Sequence, residues 1–352
     1  MKIKNYELGI MKLQSIGVAS VFSLLGLVWG AAFLLVFVVL FSVGLQAETK
    51  ILNASYDVSR EFYTEYNQAF AKYYKAKTGE DVTIDQSHGG SSKQARAILD
   101  GLEADVATLN QETDINILVK GGFVSEGWKK RFPDNSAPYR STIIFLVRKG
   151  NPKGIKDWDD LAREGVRNIV PNPKTSGNGR YSYLAVYAYA QRKFKKDPKQ
   201  VNDFVSKVFH NVPVFDGGGR AATTTFVQRG IGDVLLTFES EVFQIAKVFN
   251  PNEFEVVVPS ISVIADNPVA VVDRVAIRRG TGQVADEYLR YLWSNEGQKL
   301  ASKFYFRTRQ GTPSWQVKLE LLEVDQEFGG WTKAQKTHFD DGALYDKIYN
   351  GS

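Results

Sequence analysis

Three short segments bring glycine and hydroxyl residues to the point where a helix is expected to begin. His88-Gly89-Gly90-Ser91-Ser92-Lys93 precedes an amphipathic stretch at 94–102. Thr175-Ser176-Gly177-Asn178-Gly179-Arg180 precedes one starting at Tyr181, and Asp216-Gly217-Gly218-Gly219-Arg220 precedes one at 221–228. The first turn of a helix carries unpaired backbone N–H groups and positive partial charge, and glycine lets a ligand approach them. Such ends bind anions. Each segment alone also reads as ordinary capping; the recurrence three times over is what points to an anion. None has the Gly-Lys-Ser/Thr ending of a phosphate loop or the Gly-x-Gly-x-x-Gly turn of a dinucleotide site, which disfavours a nucleotide.

Along the chain, short apolar runs alternate with amphipathic stretches, the pattern of parallel α/β units. Strands are expected at 50–56, 82–85, 104–109, 142–147, 168–170, 212–215, 234–237, 254–258 and 269–272. Helices are expected at 59–77, where Phe62, Tyr66 and Phe70 mark one buried face and Gly79 the stop, then at 181–194, 198–209, from Glu239, at 285–293, at 296–304 and as one last helix at 333–349. The turn clusters Asn151-Pro152-Lys153-Gly154 and Asp266-Asn267-Pro268 suit two crossovers between lobes. The expected division is residues 1–47 as an export or anchoring segment, 48–147 and 265–352 as the two parts of lobe I, and 148–264 as lobe II.

At 352 residues, with 43% hydrophobic and 24% charged composition, the chain is long enough for two cores. Its formal charge is +5, of which residues 1–47 supply +2. No basic run or zinc pattern accompanies that charge, so nucleic acid is not an expected partner. Cysteine is absent, which excludes disulfides, a thiolate nucleophile and a lipid-modified amino-terminal cysteine. No charge occurs from Ile16 to Leu45, after a basic start at either Met1 or Met11. Two readings fit: a secretory signal cleaved after Ala47, or a retained anchor, since thirty uncharged residues exceed the roughly twenty that span a bilayer.

Five motifs, in order, carry a resemblance over nearly everything from Lys50 to Tyr349: Asn53-Ala54-Ser55-Tyr56-Asp57, Asp85 to Ser91, Pro171 to Gly177, Arg229-Gly230-Ile231-Gly232-Asp233-Val234 and Phe328-Gly329-Gly330-Trp331. They resemble the sulfate-binding proteins of bacterial ABC importers. The resemblance implies an α/β, two-lobed periplasmic binding protein of type II topology, with the ligand in the inter-lobe cleft. It implies as ligand donors the backbone N–H of Asp57, the hydroxyls of Ser91 and Ser176, and the backbone N–H groups of Gly177, Asn178 and Gly219. His88, Arg180 and Arg220 are implied to lie just behind those peptides and polarise them. A periplasmic monomer is expected, delivering sulfate to permease subunits served by a cytoplasmic ATPase, with no cofactor; the alternatives are a thiosulfate-preferring receptor of the same importer class and a membrane-anchored anion sensor.

The chemistry of the ligand fits such donors. Sulfate at neutral pH has no proton and only accepts hydrogen bonds, whereas protonated phosphate needs an acceptor, and leaving its proton unpaired costs about 1 to 3 kcal/mol. Two residues depart from the family: Phe238 stands where Trp is usual, removing an indole donor, and Asn178 where Gly is common, its amide either a new donor or turned to solvent. The swap at Phe238 is compatible with a preference for thiosulfate, whose larger sulfur tolerates an apolar wall. An enzyme is disfavoured: Ser91 and His88 are neighbours in one loop with no third orienting group, no Cys/Ser-x-Pro-x-Arg sulfatase motif occurs, and three scattered histidines give no metal-ligand spacing.

Overall fold

The computed structural model describes residues 49–249 and 251–350. The expected signal or anchor at 1–47 lies outside the described residues. None of the described helices is long and apolar enough to cross a membrane.

Two sheets organise the body. The smaller has the order β10-β3-β1-β2, with β1 (Thr49–Tyr56) parallel to β2 (Val82–Gly89) and β3 (Val106–Thr108), and β10 (Val269–Val271) antiparallel at one edge. The run Ile51 to Tyr56 is buried on both faces apart from a partly covered Leu52, as strands between two helical layers must be. Helix α1 (Arg60–Thr78) covers it with Phe62, Tyr66, Phe70 and Tyr74, spaced four apart on one face, and ends at Gly79 with φ 80°.

The larger sheet runs β12-β9-β4-β7-β5-β6. Its strands are β4 (Tyr139–Arg148), β5 (Asn168–Pro171), β6 (Phe215–Asp216), β7 (Val234–Phe238), β9 (Ile261–Asp266) and β12 (Glu320–Leu322), with β8 (Phe254–Val257) and β11 (Arg307–Thr308) also paired to β4. In both sheets the carboxyl ends of parallel strands lead into the loops singled out above: β1 into Asp57, β2 into Gly90, β5 into Asn172 and β6 into Gly217. That is the crevice where open α/β sheets bind ligands.

Three details differ from expectation. Residues 142–147 pair antiparallel with β7 in the larger sheet, so the chain has already changed lobes before Tyr139, and not at Asn151–Gly154. The return falls between β9 and β10, at Asp266–Pro268. After it, the stretch 273–303 stays with the smaller sheet, but 324–350 docks on the other lobe, because Phe339 and Tyr345 pack on Tyr183. The last expected helix is also interrupted: residues 331–339 and 344–350 are helical, and Gly342 at φ 72° turns the chain between them.

Candidate functional site

In the smaller-sheet lobe, Asp57 follows β1 directly, and Ser91 opens α2 (Ser91–Leu99) with Gly90 as its cap. Ser91 is buried, and its hydroxyl oxygen accepts the N–H of Asn110 at 3.3 Å, leaving its proton free to donate elsewhere. In the other lobe Ser176 caps a helix running Gly177–Lys193, preceded in the chain by α3 (Glu112–Lys120) and here called α4; its hydroxyl accepts from Gly179 N–H. After α5 (Pro198–His210), Gly218 caps α6 (Gly219–Thr223), and Gly219 is its first residue.

These loops meet across the cleft. A methyl group on Gly90 would lie 2.8 Å from the Gly217 carbonyl and 2.9 Å from that of Thr175, both backbone atoms of the opposite lobe. One on Gly218 would lie 2.5 Å from the Asp57 carboxylate, one on Gly219 3.0 Å from Asn178 Nδ2, and one on Gly177 would fall on the Asn110 carboxamide. Asp57, Ser91, Ser176, Gly177, Asn178 and Gly219 are thus gathered in one buried place, and the glycines are required by close approach.

The Asn178 amide is buried, which removes the solvent-facing alternative: Nδ2 donates to Thr237 Oγ1 at 2.7 Å, and Oδ1 accepts from Ser182. It ties the start of α4 to the end of β7. Phe238, at that end, is fully buried, with Tyr56 and Tyr181 edge-on at ring separations of 6.1 and 6.0 Å. Its phenyl ring carries no hydrogen-bond donor.

The three residues implied to stand behind the donors each point at another partner. Arg180 Nε donates to the Pro173 carbonyl at 3.0 Å, while Nη1 donates to Thr113 Oγ1 and lies 3.5 Å from the Asp114 carboxylate of the opposite lobe. Burial pulls its pKa down, with Asp114 opposing. Arg220 Nη2 donates to Glu61 Oε2 at 2.6 Å, also across the cleft, and its backbone N–H donates to Asp57 at 3.1 Å. His88 Nδ1 pairs with Ser55 Oγ at 2.6 Å, within the β1–β2 register, and not with Ser91. Burial, then Arg60 and Arg220, lower its pKa to about 4, so the ring is neutral at pH 7 and acts there as a hydrogen-bonding group without charge.

Carboxylates complete the surroundings, and two of them, Glu241 and Asp114, are not singled out by the sequence. Glu241, on α7 (Glu239–Gln244), is fully buried; burial pushes its pKa up to about 7 against Arg220, and Oε1 accepts from Thr223. Asp57 is likewise raised by burial, opposed by the Arg220 amide. Asp114 accepts from Ser92 and Gln111. Apart from the local Gln111–Asp114 bond, the spacing of charged residues on α1, α3 and α7 holds no signal for these pairings, because they join Glu61 to Arg220 across the cleft, Asp114 to Ser92, and Glu241 to Thr223 on separate elements. Among the described residues no group of three His, Asp or Glu is placed to hold a metal. Chemically, the place offers neutral donors from helix starts and hydroxyls; the Arg180 and Arg220 guanidiniums are taken up by Asp114, Glu61 and Glu241, and the Asp57 carboxylate by the Arg220 N–H. It can hold an acceptor-only anion.

A model of bacterial extracellular solute-binding proteins matches residues 55–307. The thiosulfate-binding protein of Pseudomonas aeruginosa is 53% identical over 310 residues, 86% of this chain and 93% of that protein. The sulfate-binding protein of Escherichia coli K12 is 47% identical over 325 residues, 91% of this chain and 98% of its own length. Among solved structures, the sulfate-binding protein SubI from Mycobacterium tuberculosis superposes with a TM-score of 0.73 at 31% identity, covering 83% of this chain and all of that one. With the two-lobed α/β fold and the donors gathered in its cleft, these matches place the chain in the bacterial extracellular solute-binding protein family, among relatives named for sulfate and thiosulfate binding.

Proposed function

We propose that this chain is an extracytoplasmic receptor that binds sulfate and hands it to an ABC importer. The observation that carries the reading is the convergence of three glycine-bearing helix starts, from both lobes, on one buried place whose charged neighbours pair with each other. Closure of the lobes completes the donor set, since Asp57 and Ser91 sit on one lobe and Ser176 to Gly219 on the other. The closed form is what a permease in the inner membrane, driven by a cytoplasmic ATPase, would receive. The receptor acts as a periplasmic monomer and as a carrier, not a catalyst, whether its amino-terminal segment is cleaved or retained as an anchor. Mass spectrometry of the mature amino terminus separates these two, an intact Met1 or Met11 marking the anchor. Calorimetric titration of the mature chain with sulfate, thiosulfate, phosphate and molybdate tests the reading; uptake of sulfate supports it, and uptake of none sinks it.

Thiosulfate is favoured as second ligand by one feature, the Phe238 wall between Tyr56 and Tyr181. A phenyl ring offers contact to a bulky sulfur but no hydrogen bond to an oxygen. Phe238→Trp is expected to tighten sulfate relative to thiosulfate by roughly tenfold, the worth of one hydrogen bond to a charged group. An unchanged ratio of the two dissociation constants removes Phe238 from ligand choice.

A further inference from the structure

The motif Phe328-Gly329-Gly330-Trp331 lies outside the donor loops, yet its geometry leads to them. Gly329 and Gly330 have φ 72° and 89°, a reversal that other residues resist, and they aim the chain so that Trp331 opens α12 (Trp331–Ala334), the helix that follows α11 (Val324–Phe328), α8 to α10 being Asp273–Arg279, Gly282–Arg290 and Asn295–Lys303. The Trp331 ring meets Tyr181 edge-on at 5.0 Å; Tyr181 is in the second turn of α4 and meets Phe238. Further on, Phe339 lies 5.6 Å beneath the Arg180 guanidinium, and His338, Phe339 and Tyr345 surround Tyr183.

Lys174, inside the donor loop, reaches the same segment. Its ammonium donates to the Phe339 carbonyl at 2.9 Å, the Asp340 carbonyl at 3.2 Å and Asp346 Oδ2 at 2.8 Å. An ammonium has three protons, and all three are taken, so Lys174 is spoken for away from the anion. Asp346 is itself fixed, accepting the Gly342 N–H at 2.8 Å. The backbone at Lys174 is equally held: its N–H donates to Asn172 Oδ1, and the Asn172 carbonyl accepts from Thr175 and Ser176. Thus the orientation of Ser176 and Gly177 is pinned from two sides, by the turn at Asn172 and by the carboxy-terminal segment.

We infer that the segment 324–349 is a brace that presets the donor loop 172–178 for anion capture, with Lys174 and Asp346 as positioning residues that never touch the ligand. Ordering this loop in advance removes a cost that binding would otherwise carry. For its affinity consequence the inference rests on the receptor reading above; the loop's order can be measured without any ligand.

The experiment compares wild type, Asp346→Asn, Lys174→Met and Lys174→Arg in the full mature chain. Hydrogen exchange of the Ser176, Gly179 and Arg180 amides is followed without ligand, and sulfate affinity by calorimetry. Asp346→Asn and Lys174→Met are expected to speed exchange at these amides at least about fivefold, and to weaken sulfate binding roughly three- to tenfold, while Lys174→Arg stays near wild type. The Asp346 variant is decisive because it makes the protein more positive: long-range attraction alone would tighten binding. Unchanged exchange in both Asp346→Asn and Lys174→Met, or sulfate held as tightly by Asp346→Asn as by wild type, overturns the brace. If wild type takes up neither sulfate nor thiosulfate, the receptor reading falls, and the exchange arm alone decides on the brace.

Discussion

The two donor helices of the larger-sheet lobe start alike and are supported differently. Helix α4 runs seventeen residues from Gly177, carries Tyr181 and Tyr183 into the core, and has its arginine, Arg180, buried against Pro173, Thr113 and Asp114. Helix α6 runs five residues before giving way to a π-helical turn, and its partly exposed arginine, Arg220, stands among three carboxylates, Asp57, Glu61 and Glu241. The first start is thus held by packing together with one buried ion pair, and the second by a cluster of carboxylates around a partly exposed cation. The difference teaches that two helix starts facing one place can rest on a stiff support and a titratable one, and that the two should fail under different conditions.

The largest effect is expected at the stiff support. Arg180→Met leaves Asp114, fully buried, without its cation and frees the Pro173 carbonyl. Breaking such a buried pair costs about 3 to 5 kcal/mol, read by denaturant unfolding, and sulfate binding should fall with it. A loss below about 1 kcal/mol would show that packing of α4 does not depend on Arg180. Arg220→Met is expected to cost less stability, about 1 to 2 kcal/mol, but to weaken sulfate roughly tenfold and more so at pH 8 than at pH 5, since three carboxylates then face the cleft without a cation. Equal loss at both pH values would show that those carboxylates do not act on the site.

The smallest effect belongs to Glu241. Its folded pKa, near 7, lies above the ordinary value of about 4.5 because burial favours the neutral acid. Its contribution to stability is therefore fully present below about pH 4.5 and is lost as pH rises through about 7. Glu241→Gln removes that dependence: the variant should melt a few degrees above wild type at pH 8 and match it at pH 5. Identical melting curves at both pH values would place the titration elsewhere.

How far this contrast could be read in the sequence depends on range. The glycine-hydroxyl starts at Gly90, Ser176 and Gly218 are local chemistry, and the parallel α/β rhythm is a local period, so both were legible. The first lobe change was not, because residues 142–147 are equally strand-forming in either sheet and only pairing with β7 assigns them. The Asn178–Thr237 bond, the Glu61–Arg220 pair and the Lys174–Asp346 contact span 59, 159 and 172 positions, and no residue pattern announces them. Phe238 could be singled out from the family resemblance, but its edge-on setting between two tyrosines is a property of packing.

The central claim is that neutral donors hold an anion that has no proton to give. The most direct test is calorimetry with sulfate and phosphate on the same chain from pH 5 to pH 8, taking the ratio of the two affinities so that titration of Glu241 cancels. The expected result is sulfate preferred throughout, with phosphate gaining on it as its last proton leaves. A ratio independent of pH, or phosphate preferred at pH 5, would contradict a site made only of donors.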